Sequence, residues 1–87
     1  MTPQQGADWM LKELQSKGWL DQEAAAYALH RQDKALTYTN DSGNLAISKD
    51  VLKIFNKIAP TASYVWSRSD RQWRKRAPRD APGRAQY

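Results

Sequence analysis

Apolar side chains along this chain recur first at helical and later at alternating spacing, and each change of period marks an element. Ala7, Met10, Leu11 and Leu14 fall on one helical face. Thr2 can cap that helix, Pro3 suits its first position, Gln5 completes a capping box, and Gly18 is a left-handed terminator. Trp19 and Leu20 follow as an apolar pair, and Asp21 can cap a second helix that runs through Ala24, Ala25, Tyr27, Ala28 and Leu29 to about Gln32. Residues 33–35 read as a connector. Leu36-Thr37-Tyr38-Thr39 and Leu45-Ala46-Ile47 are short strand-forming runs, and Asn40-Asp41-Ser42-Gly43-Asn44 between them tolerates positive φ, so a hairpin is expected. Ser48 can cap a third helix with Val51, Leu52, Phe55 and Ile58 on one stripe, and Pro60 stops it.

Residues 63–76 read as a second hairpin turning about Ser69-Asp70. A two- or four-residue loop sets the same register, with Trp66 opposite Trp73 and Tyr64 and Lys75 beside them. Val65, Ser67, Gln72 and Arg74 then occupy the other face. The final run, residues 77–87, is rich in Pro and Arg and has no periodicity; no regular element is expected there, only a tail pinned against its own domain or a neighbour. The reading is therefore an α+β domain of three helices and two β-hairpins over residues 1–76, followed by a tail over 77–87.

Composition narrows the chemistry. With 87 residues there is interior for one domain, and four Trp, four Tyr and one Phe give that small core large side chains. There is no cysteine, hence no disulfide and no thiolate metal site. No apolar run approaches the ~20 residues of a bilayer span, and the start of the chain lacks a signal-peptide pattern. A cytoplasmic protein without membrane association is expected.

Charge is unevenly placed. Residues 1–62 hold seven basic and seven acidic side chains, whereas residues 63–87 hold seven basic against two acidic and so supply the net +5. In that stretch Arg68, Arg71, Arg74, Lys75 and Arg76 interleave with Trp66 and Trp73. Guanidinium groups neutralise phosphates and rings stack on bases, so DNA or RNA is one expected partner. The competing account is a solvated hairpin edge that discourages aggregation, with the two indoles packed in the core against Met10, Leu14 or Phe55. On the third helix Lys49, Lys53 and Lys57 recur every four residues beside Asn56, either as phosphate contacts or as the ordinary wet face of an amphipathic helix.

Without residues 36–47, the order of three helices and a hairpin resembles a winged helix-turn-helix. In that comparison Asp21–Gln32 is the middle helix, Lys49–Ile58 takes the place of the recognition helix, and residues 63–76 are the wing. The segment between the second and third helices departs from the pattern, at about sixteen residues instead of a tight turn. The chain also resembles a small family of uncharacterised bacterial proteins, some from mobile gene cassettes. The resemblance rests on Ala7-Asp8-Trp9-Met10-Leu11, Gly18-Trp19-Leu20-Asp21-Gln22-Glu23, Gly43-Asn44-Leu45-Ala46-Ile47-Ser48-Lys49, Val51-Leu52-Lys53, residues 65–76 and Pro82-Gly83-Arg84. It implies one intact domain and brings no activity.

Catalysis is not expected. His30 is the only histidine, placed near a helix end where a cation is favourable, and no second His or Cys accompanies it. Asp8, Asp21 and Asp50 fall in or before first helical turns, and Glu13 and Lys17 form an i,i+4 pair. The Asn40–Asn44 oxygens lack the spacing of a calcium loop. No nucleophile–base pair, phosphate loop or zinc motif is present, so no cofactor and no metal is expected. The leading expectation is a nucleic-acid-binding module using Lys49, Lys53, Arg68, Arg71, Arg74, Lys75 and Arg76. Its rival is a protein-interaction or homodimer-forming module in which the Trp residues and the tail are the interface. A third reading, a small-ligand pocket lined by Trp and Tyr, requires a deep apolar cavity.

Overall fold

Capping sets the first boundaries of the structure, a computed structural model that describes residues 1–86. Thr2 accepts from the Gln5 backbone N–H while the Gln5 side chain accepts from the Thr2 N–H, closing the capping box of α1 (Pro3–Lys17). Gly18 ends α1 at φ +84, and its N–H returns to the Leu14 carbonyl. There Trp19 and Leu20, read from sequence only as an apolar pair, form a strand: β1 (Trp19–Asp21). Asp21 then caps α2 (Gln22–Gln32) by accepting from the Ala24 N–H. A single 3₁₀ turn (Lys34–Leu36) leads into the first hairpin, β2 (Thr37–Thr39) and β3 (Leu45–Ile47). Next come α3 (Lys49–Ile58), β4 (Tyr64–Ser67) and β5 (Gln72–Lys75).

The fold is α+β, with three helices and two sheets. β2 and β3 make one antiparallel pair. The other sheet has the order β1-β5-β4-β6. Within it Trp66 lies opposite Trp73 and Tyr64 opposite Lys75, as the alternation predicts, across the four-residue turn 68–71. The tail departs from expectation. Its last described residues form β6 (Ala85–Gln86), parallel to β4, because the Trp66 and Arg68 N–H groups donate to the Arg84 and Gln86 carbonyls. Edge backbone groups supplied this pairing, and they leave no mark in side-chain periodicity.

Ala7, Met10 and Leu14 of α1, Ala25, Ala26 and Leu29 of α2, and Val51 and Phe55 of α3 are buried together with Leu20, Leu36, Ile47 and Trp73. Each large side chain in that set contributes about 1.5–3 kcal/mol relative to exposure. Gly6 lets α1 approach closely, since a Cβ there would lie 3.3 Å from Leu36 Cδ1 and 3.4 Å from Val51 Cγ2. Helix α3 packs chiefly on α1, whereas α2 packs chiefly on β3. The first hairpin thus packs on α2.

Two smaller expectations need correction. Ser48 precedes α3 but its hydroxyl makes no capping bond. Asp8 lies beyond the first turn of α1 and accepts from the Gln4 side chain instead.

Candidate nucleic-acid interface

Amphipathic spacing decides which side of α3 is wet. Val51 and Phe55 point into the core, which leaves Lys49, Lys53 and Lys57 exposed on the opposite side with Asn56 and Asp50. Among the described residues none of these three lysines is in an ion pair. Tyr38, 41 % exposed, shares a shallow depression with Ser48, Lys49 and Asp50. Sequence reasoning did not single out Tyr38. Its signal was the alternation of Thr37-Tyr38-Thr39, which puts one ring on one face of a two-stranded sheet.

The aromatic ribbon is arranged otherwise. Trp73 is buried, with its ring 5.0 Å from Phe55 in an edge-on contact and 4.8 Å from the ring of Trp66, which is half-buried. Leu20, opposite Trp73 on β1, belongs to the same buried cluster. The indole face therefore turns inward onto α3, and Trp73 presents no platform for stacking bases.

On the other face Val65 lies opposite Arg74, and Ser67 opposite Gln72. Val65 and Ser67 are buried although neither joins the main core cluster, and the Ser67 hydroxyl donates to the Asp70 carboxylate. Arg74 clasps Asp80 with two parallel bonds of 2.9 Å each. The Gln86 side chain accepts from the Ala81 N–H and donates to the Ala81 carbonyl. Arg76 donates to the carbonyls of Thr61, Ala81 and Gly83. Arg84 reaches back to the carbonyls of Tyr64, Asn56 and Ala59, tying the tail to the end of α3 and the start of β4.

Electrostatics follows this geometry. The hydrogen bonds from Arg74, reinforced by the Ala77 N–H, hold the Asp80 carboxyl well below the usual carboxylate range, and the same pairing raises the pKa of Arg74. Burial, followed by repulsion from Arg76, lowers the pKa of Arg84. Among the described residues neither Arg76 nor Arg84 has a carboxylate partner; both spend their donors on carbonyl oxygens.

The expected site residues differ in what engages their side chains. Lys49 and Lys53 lie on α3 and are open to solvent. Arg68 and Arg71 are exposed in the β4–β5 turn, and Lys75 is exposed with its side chain 3.4 Å from where a Gly18 Cβ would lie. Arg74 and Arg76 are committed to the tail. Arg71 adopts φ +53, and its carbonyl accepts from the Gln22 N–H, which ties the turn to the start of α2. A polar groove of about 360 Å³ opens there, where Asp21, Glu23 and Asp70 lie around Arg71 along with Tyr27 and Asn40. Those carboxylates offset the field of Arg71.

Other candidates resolve simply. His30 Nδ1 is 2.9 Å from the Thr37 hydroxyl, tying the end of α2 to the first hairpin. Among the described residues no three His, Cys, Asp or Glu side chains come together as a metal site, and no helix is long and apolar enough to cross a membrane. The groove is polar, unlike the deep apolar cavity that a Trp- and Tyr-lined ligand pocket requires.

Comparison with known proteins adds a family. The profile of a family of unknown function, DUF6953, matches residues 2–75. The chain belongs to DUF6953. An uncharacterised family is what the sequence resemblance implied, and DUF6953 carries no assigned activity. The matched span runs from the capping box of α1 to the end of β5 and stops before the tail. Neither curated proteins nor solved structures yielded a match.

Proposed function

We propose that this DUF6953 protein is a non-catalytic module of winged-helix-like build that docks on nucleic acid through α3. The observation that carries the reading is the row of Lys49, Lys53 and Lys57, exposed and without ion pairs among the described residues on the helix that follows the inserted hairpin. Chain order supports the winged-helix comparison: helix, strand, helix, inserted hairpin, helix, hairpin, with the early strand β1 paired to β5. The sealed face of Trp73 argues for contacts to the phosphate backbone over stacking on splayed bases. Three phosphates neutralised on duplex DNA give a slope of log K against log salt of about −2.7.

Titration of labelled duplex and single-stranded DNA at two salt concentrations tests this. The wild-type chain binds duplex in a salt-steep manner, and Lys49→Glu with Lys53→Glu loses that binding with an unchanged melting temperature. Equal binding by the double variant, or none by wild type at low salt, overturns the proposal.

The protein-interaction reading keeps one specific observation in its favour: Trp19 is 47 % and Tyr27 51 % exposed, large rings of the kind that anchor interfaces. A stable dimer by light scattering, with no polyanion binding, selects it.

A further inference from the structure

The tail engages those ribbon arginines that face outward from the sheet. Asp80 meets Arg74 through both guanidinium nitrogens at 2.9 Å, the forked geometry by which arginine also grips a phosphate. The carbonyls of Ala81 and Gly83 take up donors of Arg76. Hydrogen bonds and one ion pair join residues 77–86 to the ribbon and to α3; these residues contain no large apolar side chain, and Gln86 is the only one of them buried as a whole residue, with the Asp80 side chain 8 % exposed. β6 is two residues long. Like-charged Arg76 and Arg84 lie close enough to repel each other, with no carboxylate between them among the described residues. An anion arriving at this face meets cations whose present partners are one carboxylate and several carbonyl oxygens. The family match covers the ribbon to Lys75 and none of the segment that masks it.

We propose that residues 77–86 are a competitive strap, in which Asp80 holds Arg74 in place of a phosphate and the strap's carbonyls hold Arg76, so that lifting it adds both arginines to the polyanion-binding surface. The inference rests on the nucleic-acid reading above and concerns its regulation. Linkage requires reciprocity: polyanion that gains Arg74 and Arg76 only in the lifted state must itself favour lifting.

The test uses the full chain. Asp80→Asn keeps the shape of the side chain and leaves an oxygen for the Ala77 N–H, but removes the charge that occupies Arg74. Asp41→Asn, an exposed change in the β2–β3 turn, alters net charge equally without freeing an arginine. Titrated with labelled duplex, Asp80→Asn should bind severalfold tighter than Asp41→Asn, with a salt slope steeper by about 0.9 per phosphate gained. Adding Arg74→Gln to Asp80→Asn should remove the part of the gain that Arg74 supplies, and adding Arg76→Gln as well should cancel the rest. Equal affinity and slope for Asp80→Asn and Asp41→Asn overturn the strap.

Should Asp80→Asn fail to fold, hydrogen exchange on wild type at saturating duplex decides. Loss of protection at the Trp66 and Arg68 amides, which donate to Arg84 and Gln86, supports the strap, and retained protection overturns it. The two proposals fail separately. Binding that survives Lys49→Glu/Lys53→Glu but rises with Asp80→Asn removes the α3 site and keeps the strap. Binding that needs the lysines and ignores Asp80 does the reverse, and no binding by any variant removes both.

Discussion

Truncating Phe55 to alanine tests the claim that α3 is seated on the sheet through one aromatic contact. The Phe55 side chain is fully buried, and its ring meets Trp73 at 5.0 Å between centroids with planes inclined by 68°. Core Phe→Ala changes cost about 3–5 kcal/mol because transfer and cavity terms add. The edge-on ring contact accounts for about 0.5–1.5 kcal/mol of that. At roughly 0.05–0.15 kcal/mol per residue, the whole domain has about 4–13 kcal/mol to lose. Urea unfolding followed by tryptophan fluorescence and by circular dichroism provides the assay, and coincident curves establish two-state behaviour. With a slope of about 1–3 kcal/mol per M, the midpoint falls by about 1 M or more. Trp73→Leu completes a double-mutant cycle whose coupling isolates the ring contact at about 0.5–1.5 kcal/mol. A loss for Phe55→Ala below about 1 kcal/mol, with unchanged slope, would refute the placement of α3 on Trp73.

Two further expectations concern the boundary of α1 and the acid limb. Gly18 sits at φ +84, so Gly18→Ala lowers stability by about 1–2 kcal/mol in the same urea assay, and Gly18→Asn by less, because a short amide tolerates that conformation. Equal stability of Gly18→Ala and wild type would contradict the left-handed cap. Asp80 and Asp33 both have depressed pKa values in the folded chain, Asp80 through Arg74 and Asp33 through the amino terminus 2.7 Å away. A depressed carboxylate stabilises the fold above its unfolded pKa of about 3.9, and that contribution disappears as pH falls through the folded value. Urea midpoints measured below about pH 4 should therefore fall less steeply for Asp80→Asn and Asp33→Asn than for wild type. Identical slopes in all three proteins would show that neither pairing persists in solution.

Local chemistry made much of this fold legible. The Thr2–Gln5 box, Gly18, Asp21 and the alternation about Trp66 and Trp73 act over a few residues, and each formed as the spacing implied. β1 was not legible, because three residues with one large buried side chain do not make a period, and its strand exists only through pairing with β5. The site divided along the same line. The lysine row on α3 follows from i,i+4 spacing, which one helix decides by itself. Whether Arg74 is open to a partner depends on a carboxylate six residues on, brought back by a turn at Ala77–Asp80.

The amino-acid order determined where helices begin and end, which face of each is apolar, the register of the tryptophan hairpin and the siting of the surplus charge. Those properties are set by nearest neighbours: caps, rotamer and φ preferences, and periodicity. Tertiary structure alone decided that Trp73 faces inward onto Phe55, that β1 and β6 flank the hairpin, and that Arg74, Arg76 and Arg84 bind the chain itself. The reason is that backbone edges and guanidinium groups accept many partners of similar energy, so the partner they take is chosen by what the fold carries within about 3 Å of them.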